Sequence, residues 1–177
     1  FFKEANKSDL LYSKASLEEN ITFVPALTGL GAPYWEPNVR GAIFGITRNT
    51  SKEDIIKATI DSLSFQTLDL IKAMQKDSKI KIREMRVDGG MINNNNFLQS
   101  LSNVTQIKII KPKNIETTSL GVAYLAALNS GIIKNTKQIE KLWKQNKIAN
   151  PKISKKKLTP LIKKWNKTIK VLITLNS

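Results

Sequence analysis

Short apolar runs alternate with longer segments of helical period along most of this chain, and that alternation constrains the fold more than any other feature. Ile21 to Leu27, Ala42 to Ile46, Glu84 to Val87 and Ile107 to Ile110 read as strands. Between the second and third runs a long amphipathic helix, from Ser51 to about Lys76, is predicted to bury Ile56, Ile60, Leu63, Leu70 and Met74. Its start is marked by Ser51 as N-cap with Asp54 three residues on. A helix beginning in Met91 to Asn96 carries Phe97, Leu98 and Leu101, and another spans Thr117 to Asn129 with Gly131 at its C′ position. Small residues on the latter, Gly121, Ala123, Ala126 and Ala127, suit close packing against a neighbour. Residues 1–19 are polar and read as the end of a helix. The Lys-rich tail, 135–175, reads as two amphipathic helices around Asn150-Pro151. Strands alternating with helices predict an α/β layer fold.

The chemistry open to this chain is narrowed by what it lacks. Neither Cys nor His occurs among the 177 residues. That excludes disulfides, iron–sulfur clusters and thiolate catalysis, and removes the usual general base and the commonest zinc ligand. Carboxylates, hydroxyls, amides, Lys, Arg and backbone dipoles remain. Phosphoryl transfer needs little else, because positioning and charge stabilisation carry most of it. The formal net charge of +15 raises a nucleic-acid-binding module as an alternative. Only Arg40, Arg48, Arg83 and Arg86 carry guanidinium groups, and runs such as Lys155-Lys156-Lys157 lack interleaved aromatics. The charge is therefore expected to be a solvated Lys face with no specific nucleic-acid partner. No apolar run approaches the roughly 18 residues of a membrane span, and no secretory leader is recognisable. Opening on Phe1-Phe2-Lys3 without Met, the chain is expected to be a piece of a longer cytoplasmic protein.

Three segments have the residue types of a binding site. Thr28 to Pro37 holds two Gly and two Pro around Tyr34-Trp35, which makes either a shaped aromatic loop or a surface loop over the core. Val87-Asp88-Gly89-Gly90 brings a strand into two glycines and then a helix start. Without Cβ atoms a ligand can lie on bare backbone, and the helix start offers free N–H groups. The same pair also suits a tight turn and nothing more. Asn93 to Asn96 supplies either a helix cap or an amide that reads a ribose or base edge. Asp54, Asp61, Asp69 and Asp77 fall within the long helix, where a solvated face is expected for most of them, and Asp88 is expected to hold the glycine loop through backbone N–H groups.

Taken in order, these segments resemble a known family. Phe23 to Trp35, reading FVPALTGLGAPYW, is similar to a loop of glycerol kinases. Arg40 to Ile46, Asp54-Ile55 and Ala58 to Asp61 resemble the spaced C-terminal signature of the FGGY carbohydrate kinases, and Arg86 to Gly90 and Glu116 to Ala126 continue it. Pro151 and Trp165 fit its last helix. The likeness is strong over 21–133 and looser in the tail. Leu27, Leu68, Ser119, Val122 and Ala127 depart from the usual residues.

The resemblance implies an actin-like (ribonuclease H-like) ATPase fold, with a mixed sheet flanked by helices. It implies that 1–150 is the C-terminal nucleotide-binding domain, incomplete on its N-terminal side, and that 151–177 is a helical tail packing on it. It places Gly89, Gly90 and Asn94 at the nucleotide, with ATP as phosphoryl donor and Mg²⁺ held by residues outside this chain. Catalytic and glycerol-binding residues are expected upstream, so glycerol would be met through a missing N-terminal domain and the chain alone would be inactive. Homo-oligomerisation is left open. Other readings are an FGGY kinase for a pentulose or gluconate and a non-enzymatic actin-like nucleotide switch.

Overall fold

The computed structural model describes residues 7–15 and 21–176. A short helix, α1 (Lys7–Lys14), precedes a two-stranded antiparallel ribbon of β1 (Thr22–Val24) and β2 (Ala42–Phe44), in which Phe23 pairs with Ile43. The rest of the predicted helix in 1–19 lies outside the described residues. Then come α2 (Lys52–Ser78), β3 (Glu84–Arg86), α3 (Asn95–Thr105), β4 (Lys108–Pro112), α4 (Thr117–Asn129), α5 (Thr136–Leu142), β5 (Gln145–Ala149) and α6 (Lys155–Asn176). Strands β3, β4 and β5 form one sheet in that order; β3 is parallel to β4, and β5 antiparallel to it. The sheet is mixed and helices flank it, as expected.

Helix α2 organises the interior. Its start is a full capping box: the Asp54 N–H donates to Ser51 Oγ at 3.2 Å, and the Ser51 N–H donates to Asp54 Oδ2 at 2.9 Å. Ile56, Ile60 and Ile71 then join Ile92, Phe97, Leu98, Leu101, Ile107 and Ile109 in a core between α2, α3 and the sheet. A second cluster, with Val24, Ala26, Leu30 and Val39 on one side and Trp165, Ile169 and Leu172 on the other, seats α6 against the ribbon. Phe65 of α2 stacks on Trp165, ring centroids 5.4 Å apart. Leu68, Val104 and Leu158 bridge α2, α3 and α6.

Four expectations are corrected. Leu70 and Met74 are exposed, while Leu68, Asp69 and Ile71 are buried. Helix α2 touches two clusters on different sides, so its buried surface is wider than one stripe and turns along its length. The tail holds a strand, β5, where a helix was expected. Gln145-Asn146-Lys147-Ile148 is an exposed sheet edge held by backbone pairing to β4, with only Ala149 at its end reaching the core. Helix α4 has no buried residue despite its small, apolar sequence, and Val122 and Leu125 stand more than 60% exposed. Asp54 and Asp69 are buried rather than solvated. The Gly131 expectation holds, with Gly131 at φ +77 one residue past the α4 C-cap.

Candidate functional site

The parallel ladder runs one residue beyond β3, the Val87 N–H donating to Ile110 O at 3.1 Å, and then the chain breaks away. Asp88 accepts from the Thr117 hydroxyl and so ties this bend to the first turn of α4. That replaces the expected role of Asp88 in bonding backbone N–H groups. Gly89 sits at φ +87, ψ 176, a conformation that side chains with Cβ seldom take. Gly90 lies outside the positive-φ region and opens a turn of 3₁₀-helix, Gly90–Asn93, anchored by the buried Ile92. A Cβ added at Gly89 or Gly90 would meet nothing within 4 Å. The backbone at the bend therefore faces open space.

Asn94 is the N-cap of α3, its Oδ1 accepting the Phe97 N–H at 2.8 Å. Its amide Nδ2 donates to Ser8 Oγ at 3.1 Å, which brings α1 to the site. Asp9 follows: its carboxylate accepts the N–H of Asn95 (3.3 Å) and of Asn96 (3.0 Å) and the Asn96 amide (2.6 Å). The other two amides meet lysines, Asn93 Oδ1 accepting from Lys111 Nζ and Asn95 Oδ1 from Lys147 Nζ. The four asparagines thus each have a distinct partner, and Asn94 is buried. Gly89, Gly90 and Asn94 fall on one bend and the helix start that follows it. Ser8, Asp9, Lys111 and Thr117 join them unforeseen. Nothing in the polar stretch around Ser8-Asp9 signals a cap for a helix 86 residues away.

A second polar centre lies under the Thr28 to Pro37 loop. Asp69 Oδ2 accepts from Tyr34 Oη at 2.8 Å and from the fully buried Trp165 Nε1 at 2.6 Å, fastening loop, α2 and α6 at one atom. Burial, followed by the Asp69 hydrogen bond, pushes the Tyr34 phenol above its ordinary pKa. Likewise burial, followed by the Asp61 charge, raises Tyr12, whose hydroxyl donates to Asp61 Oδ1 at 2.7 Å. A cleft of about 470 Å³ opens beside Tyr34, Gly31, Gln66 and Asp69 and does not include Gly89 or Gly90. Among the described residues no three Asp or Glu side chains converge as a metal site, and no helix is long and apolar enough to cross a membrane.

Residues 3–130 match the C-terminal domain of the FGGY family of carbohydrate kinases. The chain belongs to this family. It is 46% identical over 169 residues to a glycerol kinase of Mycoplasmoides gallisepticum, covering 94% of this chain and 33% of that protein. To a glycerol kinase of Pediococcus pentosaceus it is 43% identical over 168 residues, 95% of this chain and 33% of that one. A crystal structure of Plasmodium falciparum glycerol kinase with ADP superposes with a TM-score of 0.87 at 29% identity, over 97% of this chain and 34% of the other. A gluconate kinase from Lactobacillus acidophilus, at 22% identity and a TM-score of 0.78 over 98% of this chain and 36% of the other, shares the fold. The actin-like fold expected of FGGY kinases is therefore the fold of this chain. It spans about a third of the length of these relatives.

Proposed function

We propose that this chain is the adenosine-holding part of a glycerol kinase. The observation that carries the reading is the bare-backbone bend at Gly89-Gly90, open where a side chain would stand and followed at once by the capped amide of Asn94. In the assembled enzyme a glycerol hydroxyl attacks the γ-phosphate of ATP. Phosphoryl transfer of this kind depends on alignment and charge stabilisation. Gly89 and Gly90 let the nucleotide approach the backbone, and the rigid cap holds Asn94 for contact through the part of its amide not used by Phe97 and Ser8. Mg²⁺ would be held by the phosphates and by carboxylates outside this chain. Residues 1–150 form the nucleotide-binding unit and 151–177 the tail packed on it, within a cytoplasmic enzyme. The open bend is one wall of a cleft whose other wall the remaining two thirds of such an enzyme would supply.

Glycerol is favoured over a pentulose or gluconate because the two glycerol kinases named above are 46% and 43% identical to this chain. The solved gluconate and xylulose kinases share 22% and 24%. The test is ADP release by a polypeptide of the relatives' full length containing this chain, offered glycerol, xylulose and gluconate in turn. Turnover with glycerol is expected to dominate, and the 177-residue chain alone is expected to be silent. Preference for xylulose or gluconate would reassign the substrate, and glycerol-dependent turnover by the isolated chain would overturn the division of labour.

A further inference from the structure

Helix α1 is an unusual element: eight residues long, with no buried residue. An isolated helix that short is not stable in water, so contacts elsewhere must hold it. Two anchors are ordinary packing, Leu11 and Tyr12 against the core between α2 and α3. Tyr12 also donates to Asp61 Oδ1, and a further set of polar contacts meets the start of α3. Ser8 Oγ accepts from Asn94 Nδ2, and Asp9 Oδ1 and Oδ2 take the Asn96 and Asn95 N–H groups. The Asn96 amide spans Asp9 O (2.9 Å), Asp9 Oδ1 (2.6 Å) and Ser13 Oγ (3.1 Å). A carboxylate over the first N–H groups of α3 also complements the positive end of the helix dipole.

We propose that Ser8, acting through Asn94, and Asp9, acting through the α3 N-terminus that Asn94 caps, are positioning residues for nucleotide binding. An Asn side chain capping a helix through Oδ1 can still rotate its amide plane within the cap, and what it offers a ligand depends on where Nδ2 points. Ser8 fixes that direction by taking one Nδ2 hydrogen, and the other has no hydrogen-bond partner among the described residues. Asp9 already occupies the Asn95 and Asn96 N–H groups at the start of α3 and so fixes the helix end that carries Asn94; with those donors taken, the uncharged adenosine portion of the nucleotide belongs beside Asn94 and the phosphates lie elsewhere. The inference rests on the nucleotide reading above and extends it to two residues of a different element.

The experiment uses a polypeptide of the relatives' full length and reads the ADP dissociation constant by calorimetry, KM for ATP, KM for glycerol and kcat. Ser8→Ala and Asp9→Asn are expected to weaken ADP binding and raise KM for ATP by about three- to tenfold, the range of one lost hydrogen-bond restraint. KM for glycerol and kcat should hold. Ser8→Thr, which keeps the hydroxyl, should restore ADP affinity. A purely structural role would lower the melting temperature of Ser8→Ala without this split and without rescue by Thr, and that result overturns the proposal. Gly90→Val, measured in parallel, separates the two levels. If it weakens ADP binding while folded Ser8→Ala and Asp9→Asn do not, the positioning role falls alone. If none of the three alters ADP binding, the nucleotide reading falls with it.

Discussion

Substituting the two adjacent glycines should produce opposite phenotypes, because their backbones differ. Gly90 lies outside the positive-φ region and has nothing within 4 Å of an added Cβ, so Gly90→Val brings no backbone strain and its Cβ meets no collision in the ligand-free protein. Its cost to folding should stay below about 1 kcal/mol, the scale of a β-branched residue in a helical turn. If the nucleotide lies on that backbone, the two added methyl groups occupy its volume and no rotamer withdraws both. KM for ATP should then rise at least about tenfold, equivalent to about 1.4 kcal/mol, with KM for glycerol nearly unchanged. Gly89 stands at φ +87, where any other residue is strained by about 1–3 kcal/mol. Gly89→Ala should therefore lower the melting temperature by several degrees. The assay is steady-state kinetics in the full-length context with each substrate varied in turn, preceded by thermal melts. A folded Gly90→Val enzyme with unchanged KM for ATP would refute the placement of the nucleotide, and a melt as depressed as that of Gly89→Ala would refute the backbone argument.

Asp69→Ala should destabilise by about 1–3 kcal/mol, since the buried Trp165 Nε1 loses its acceptor, while Asp69→Asn keeps a carbonyl oxygen and should cost less; urea denaturation that ranks them the other way would contradict the hub. The Tyr34 phenol has its folded pKa raised above 10, so its contribution to stability is complete below about pH 10 and is lost as pH rises through the folded value. Tyr34→Phe should accordingly show a shallower loss of stability between pH 9 and 12 (roughly the span either side of an ordinary phenol pKa) than the parent; equal slopes would remove the linkage. Binding to DNA or RNA should be weak and vanish near physiological salt, as counterion release alone requires, and filter binding that survives such salt would show that the Lys face has a specific role.

The elements most legible in the sequence were those that state their own geometry. Ser51 and Asp54 mark the start of α2 because capping is local, and Gly89-Gly90 and Asn94 mark the bend and the next cap for the same reason. Strand β5 was illegible because an exposed edge is held by its backbone, to which side-chain patterning is blind. The burial of Asp69 was hidden because its partners, Tyr34 and Trp165, come from distant parts of the chain. Helix α4 shows the converse limit. Its small apolar residues announce that a neighbour fits there, but they do not say whether this stretch of polypeptide contains it. Ser8 and Asp9 are ordinary polar residues whose importance exists only once α1 is laid across α3.

The fastening of Trp165 to Asp69 has a consequence for biosynthesis. The two residues are 96 positions apart, and the indole belongs to the final helix. At about 5–20 residues per second, a ribosome that has made Asp69 needs roughly 5–20 s more to deliver its partner. During that interval Val24, Ala26, Leu30 and Val39 lack the face that later covers them. The nascent chain thus carries an apolar patch for seconds, long enough to engage a chaperone, and a premature stop anywhere before α6 would make that transient state permanent.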